Sequence, residues 1–170
     1  AARQAHSLNL NYPRIGSVAM ASNHRMEQNL IKQPPLHRAN SVLTRALQPQ
    51  EIALFVRSAA QLDRPKAAAE KAGMKYKVLD DRVEITPGYV SVSTMHLSKG
   101  LEFRAVAIMG CDDEVIPLQE RIETVTDEAD LEGVYNTERH LLYVACTRAR
   151  DHLLITSTEP ASEFLQDMLS

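Results

Sequence analysis

A hydroxyl, an imidazole, an ammonium, a glycine and a carboxylate fall within one stretch of nine residues, at Thr94, His96, Lys99, Gly100 and Glu102. They follow directly on the β-branched run Val90-Ser91-Val92-Ser93-Thr94, which predicts a buried strand ending at a polar loop. Such a loop suits a polyanion. Ligands of open α/β sheets sit beyond the carboxyl ends of the strands, and the sequence puts His96, Lys99 and Glu102 in that position. A second segment, residues 138–150, reads as a helix whose last turn brings in Arg148 and Arg150. A guanidinium carried there can be presented to phosphate oxygens held by another surface. It can also simply complement the helix dipole.

The elements that must position these groups alternate along the chain. Residues 7–11 form a short strand, Tyr12-Pro13-Arg14 a break, and residues 17–32 an amphipathic helix with Val18, Ala21, Met26 and Leu30 on one side, ended by Pro34-Pro35. Residues 51–56 are an apolar strand, 59–72 a helix closed by Gly73, and 74–79 the next strand. Residues 83–86 are expected to pair back between the turns at Asp80-Asp81 and Pro87-Gly88. Further strands are predicted at 90–94, 104–109 and 152–156. A helix over 130–147 carries a stripe of Leu131, Val134, Leu141, Val144 and Ala145, and a short helix covers 163–169. The class is α/β: a mostly parallel sheet flanked by helices, in one domain spanning residues 1–170.

Composition excludes several functions. With 19 basic and 22 acidic residues the net charge is −3, so any nucleic-acid contact must be local rather than a bulk charge effect. Six basic residues (Arg3, Arg14, Arg25, Lys32, Arg38, Arg45) against Glu27 make a candidate basic face, while nine acids and Arg121 occupy residues 112–132. Cys111 and Cys146 form no Cys-x-x-Cys pair and no zinc spacing, so no metal site is expected and the thiols read as reduced, in a cytoplasmic protein. No apolar run approaches the roughly 20 residues that span a bilayer, and no membrane partner is expected.

Residues 90–103, V-S-V-S-T-M-H-L-S-K-G-L-E-F, and residues 138–150, E-R-H-L-L-Y-V-A-C-T-R-A-R, together resemble motifs V and VI of the UvrD/Rep/PcrA group of superfamily 1 DNA helicases. The resemblance implies a RecA-like fold of the P-loop NTPase type. It places Thr94 and His96 on a single-stranded DNA track, Gly100 and Glu102 near the nucleotide, and Arg148 as an arginine finger on the γ-phosphate. Residues 8–14, L-N-L-N-Y-P-R, are similar to motif IV of that group. That likeness assigns adenine stacking to Tyr12 and a second γ-phosphate contact to Arg14, although Pro13 intervenes. Phe55-Val56-Arg57-Ser58-Ala59 resembles a strand-end R-S-N that contacts the DNA backbone, which gives that contact to Arg57 and puts Ala59 where the asparagine would stand.

Two absences shape the expectation. No G-x-x-x-x-G-K-[ST] occurs, and no carboxylate pair ends a strand in a Walker B manner, since Cys111-Asp112-Asp113-Glu114 belongs after motif V. The chain therefore resembles the second RecA-like domain alone, with no subdomain inserted before motif V. The resemblance implies an ATP-dependent DNA helicase moving 3′ to 5′ on single-stranded DNA, with ATP and Mg2+ bound against an N-terminal RecA-like domain and Mg2+ held by that domain. The isolated chain is expected to be inactive. The alternative is a non-catalytic helicase-like module that binds DNA or protein. A small-molecule α/β enzyme is disfavoured because no nucleophile and base pairing is readable.

Overall fold

The computed structural model describes residues 17–22 and 47–167. Among these residues six strands form one sheet: β1 (Ser17–Ser22), β2 (Ile52–Val56), β3 (Tyr76–Val78), β4 (Val90–Thr94), β5 (Phe103–Ile108) and β6 (Ala149–Ser157). Their order is β1-β6-β5-β2-β4-β3, and every neighbouring pair is parallel. Among the described residues four α-helices accompany them: α1 (Asp63–Lys71), α2 (Gln119–Glu123), α3 (Glu128–Cys146) and α4 (Glu163–Asp167).

Alternation along β2 shows how the sheet is covered. Ala53 and Phe55 point to one face, where they join Met95, Leu142, Ala145, Cys146 and Phe164 in a core under α3 and α4. Leu54 and Val56 point to the other, packing with Val90, Val92 and Ala69 of α1. Successive side chains of a strand face opposite sides, so a strand covered on both faces must be apolar throughout, as Ala53 to Val56 are. Helix α3 starts at the N-cap Asp127, whose carboxylate accepts from the Ala129 N–H at 2.6 Å, and Glu128 and Asp130 add negative charge to the first turn. Cys111 and Cys146 are free and buried, and burial pushes the Cys146 thiol up to about 12, which leaves it inert as a nucleophile.

Several expectations are corrected. The helix expected over 17–32 begins instead as strand β1, in register with β6 from Ser17 opposite His152 to Ser22 opposite Ser157. The stretch S-V-A-M-A-S alternates as well as it fits a helical stripe, and the open edge of β6 decides between them. Residues 23–32 and the strand expected at 7–11 lie outside the described residues. The pairing expected for 83–86 does not form. Val83 turns through a positive φ of 50°, and the segment is held to β3 by side chains, with Lys77 Nζ donating to Thr86 Oγ1 at 3.1 Å. The helix expected over 59–72 divides into a 3-10 turn, Ala59–Gln61, and α1, because Pro65 is tolerated only in a first helical turn. Gly73 closes α1 with a φ of 66°, as expected of a helix-ending glycine. Helix α2 was not expected at all. Among the described residues no helix is long and apolar enough to cross a membrane.

Candidate functional site

Strand β4 stops at Thr94, which is half-buried beside Val56 of β2. The chain then enters a 3-10 turn, Met95–Ser98, whose Met95 and Ser98 side chains are buried, with Ser98 Oγ donating to the Met95 carbonyl at 2.7 Å. Those two anchors turn His96 and Lys99 out to solvent. Gly100 takes a φ of 83°, a conformation that favours glycine, and lets the chain drop toward Phe103. The loop thus crosses the face of β2 from the carboxyl end of β4 to the amino end of β5. Five residues of strand make that about 15 Å.

This geometry splits the expected loop site in two. Thr94 and His96 lie at the carboxyl rim, as the sequence suggested. Glu102 does not. It stands exposed at the amino rim, immediately before the Phe103 and Ala149 pair that starts β5 and β6. The correction follows from connectivity: a parallel strand can be re-entered only at its amino end, so an eight-residue crossover must carry its last residues to the opposite rim.

Arg148 waits at that same amino rim. Helix α3 runs antiparallel to the strands, ends at Cys146 and turns through Thr147 into β6. The Phe103 N–H donates to the Arg148 carbonyl at 2.9 Å, so the two motif segments are joined by backbone. The guanidinium curls over the helix end: Nε donates to the Val144 carbonyl at 3.0 Å, Nη2 to Thr147 Oγ1 at 3.0 Å and Nη1 to the Leu101 carbonyl at 3.4 Å. Three of its five N–H groups are directed this way, leaving two for a ligand. Beside it a cavity of about 250 Å³ is lined by Glu102, Thr147, Ala149, Arg150 and Asp151. That is smaller than the roughly 300–1,000 Å³ of a complete small-molecule site, and its charged lining is one guanidinium, Arg150, against two carboxylates, Glu102 and Asp151.

At the carboxyl rim Arg57, next after β2, departs from expectation. Its guanidinium is buried and grips Glu138 of α3 from two sides, Nε to Oε2 at 2.5 Å and Nη2 to Oε1 at 2.6 Å. Arg121 Nη1 donates to the same carboxylate at 2.8 Å and the Leu118 N–H at 3.3 Å. A guanidinium enclosed in this way is not presented to a DNA backbone, so the surface contact read from the sequence is replaced by an internal ion pair. Burial alone would push the Glu138 carboxyl up, but the Arg57 and Arg121 bonds and the Leu118 N–H hold it below the usual carboxylate range. His96 lies in this field. Partial burial, then the Arg57 and Arg121 charges, lower its imidazole against the opposing pull of Glu138, which favours the neutral ring. Glu138 and Arg121 were missed in the sequence, yet Glu138 had a signal: it stands at helical spacing between Val134 and Leu142, a charge on the apolar stripe.

Tyr12 and Arg14 lie outside the described residues. Among those described, no three His, Cys, Asp or Glu side chains are grouped to hold a metal ion.

The model of the UvrD-like helicase C-terminal domain family matches residues 69–160, which contain Thr94, His96, Glu102 and Arg148, the crossover loop and all of α3. The chain belongs to that family. Over 91 residues, 54% of this chain and 11% of the relative, it is 33% identical to the ATP-dependent DNA helicase UvrD1 of Mycobacterium tuberculosis strain H37Rv. Over 71 residues, 42% of this chain and 9% of the relative, it is 42% identical to the ATP-dependent DNA helicase PcrA of Staphylococcus aureus strain MRSA252. The YjcD protein of Bacillus subtilis strain 168 is 43% identical over 89 residues, 47% of this chain and 11% of that protein. The chain spans about a tenth of the length of these relatives. Among solved structures, the C-terminal domain of a possible DNA helicase from Lactobacillus plantarum WCFS1 aligns with a TM-score of 0.46 at 23% identity, over 71% of this chain and 63% of that one.

Proposed function

We propose that this chain works as the second RecA-like domain of an ATP-dependent DNA helicase, a single domain over residues 1–170 without an inserted subdomain. The observation that carries the reading is the placement of Glu102 and Arg148 at the same amino rim, their segments joined by the Phe103 N–H to the Arg148 carbonyl and by Arg148 Nη1 to the Leu101 carbonyl. There a partly exposed guanidinium keeps two N–H groups uncommitted, and its chain neighbours Thr147 and Ala149, with Glu102, line a cavity too small for a nucleotide. Such a half-site makes chemical sense when a second domain brings the phosphates to it.

In this reading Arg148 stabilises charge on the γ-phosphate as it transfers, Gly100 lets Glu102 approach the nucleotide, Tyr12 stacks on adenine, and Arg14 adds a second phosphate contact. ATP and Mg2+ are held mainly by an N-terminal RecA-like domain of the same cytoplasmic protein. Thr94 and His96 contact single-stranded DNA at the carboxyl rim, and the enzyme moves 3′ to 5′. Arg57, buried against Glu138, supports the rim rather than touching DNA. A second reading, a non-catalytic helicase-like module, is favoured by that burial and by Ala59, which together remove two backbone contacts.

The test is ATPase activity with and without single-stranded DNA, for the isolated chain and for the full-length protein that contains it. The expected result is no turnover by the chain and DNA-stimulated turnover by the whole. A full-length protein that binds DNA with no ATPase would favour the module, and a chain that turns over ATP alone would defeat the shared site.

A further inference from the structure

Loop and helix run side by side from rim to rim. The crossover loop spans the height of the sheet, and so does the chain from Glu138 to Arg148, whose helical part from Glu138 to Cys146 rises about 12 Å before the turn through Thr147. At the amino rim the two are tied by the Phe103 N–H to the Arg148 carbonyl and by Arg148 Nη1 to the Leu101 carbonyl. At the carboxyl rim the tie is Glu138 to Arg57, the residue after Val56, which is the register partner of Thr94 in β4. Between these ties Met95 and Leu142 share one core.

Glu138 is among the largest fully buried side chains of the fold, and its carboxylate accepts four hydrogen bonds from three residues. Stability alone does not call for such a cluster, because apolar side chains of similar volume commonly serve as well or better. Four directional bonds to one carboxylate fix the position of that turn of the helix along its axis more narrowly than apolar contact alone.

Resting on the functional reading above, we infer that Glu138 is a positioning residue that couples nucleotide to DNA. By gripping Arg57 and Arg121 it pins α3 to the carboxyl rim, so that a shift of Arg148 toward or away from a phosphate moves the ledge bearing Thr94 and His96. Neither Glu138 nor Arg57 touches either ligand in this role. The ligands' mutual influence passes through the pin, and the influence must be reciprocal.

The test uses the full-length protein and a labelled single-stranded oligonucleotide, titrated at fixed salt with and without a non-hydrolysable ATP analogue. The double variant Arg57→Met with Glu138→Leu keeps the site filled, and Glu138→Gln keeps most of its volume and one of its acceptors. In the unsubstituted protein the analogue should change oligonucleotide affinity, by about 5-fold or more. In both variants the ratio should fall to within about twofold of unity, while affinity without the analogue stays within a few-fold. Ratios as large in a folded variant as in the unsubstituted protein would overturn the inference and leave the functional reading intact. An unsubstituted protein with no such dependence would overturn both. Should the double variant fail to fold, Glu138→Gln alone decides between the first two outcomes.

Discussion

Arg57 and Glu138, 81 residues apart in sequence, meet as a two-pronged ion pair in the interior, joining the end of strand β2 to the middle of helix α3. Removing one partner leaves the other charged, buried and unpaired. Glu138→Ala should therefore cost about 3–5 kcal/mol of stability. Lys66→Ala, which breaks a surface pair with the almost fully exposed Asp63, should cost under about 1 kcal/mol. Urea denaturation of both variants measures the contrast, and similar losses would mean that the interior pair is no more than a surface one.

The same carboxylate should shape the acid limit of the fold. Burial raises Glu138, but the Arg57, Arg121 and Leu118 bonds outweigh it; in Asp112, burial is likewise outweighed by the Thr158 N–H and Arg64. Both native carboxyls thus lie below their ordinary values. Their stabilisation is complete above the ordinary carboxylate range and is lost as pH falls through that range toward the native values. Plotted against pH, the urea midpoint of Glu138→Gln should fall less steeply on the acid side than that of the unsubstituted chain. Parallel acid limbs would show that Glu138 is not ionised in the native state.

His96 and Glu102 belong to one loop but to opposite rims, so their substitutions should separate two activities. In the full-length protein His96→Ala should weaken oligonucleotide binding several-fold, the scale of about 1 kcal/mol for one neutral hydrogen bond, and spare basal ATPase. Glu102→Gln should raise the nucleotide requirement and spare DNA affinity. Oligonucleotide titrations and nucleotide dependence of turnover, run on both variants, decide the matter. Equal damage in both assays from both variants would make the loop a folding element only.

The parallel sheet was legible because strands covered on both faces read as continuous apolar runs, as in Ile52–Val56, and the end of α1 because Gly73 closes it. The strand at Ser17–Ser22 was hidden because its partner β6 is more than a hundred residues away, and only that pairing separates it from a helix. Thr94, His96, Glu102 and Arg148 were singled out in the sequence by residue type and by their resemblance to motifs V and VI. Their division between two rims was not, since it depends on strand connectivity rather than local pattern. Arg57 shows the same limit: a strand-end arginine looks alike in sequence whether it faces DNA or an interior glutamate.

The shared ATP site is tested most directly by single-turnover ATP hydrolysis in the full-length protein carrying Arg148→Ala. An arginine that acts on charge developing in the transition state changes rate far more than ground-state binding. The account predicts a loss of about 10³ to 10⁵ in the hydrolysis rate, with nucleotide affinity changed only a few-fold and the thermal midpoint nearly unchanged. A variant that hydrolyses ATP at the unsubstituted rate, or loses activity only in proportion to unfolding, would contradict it.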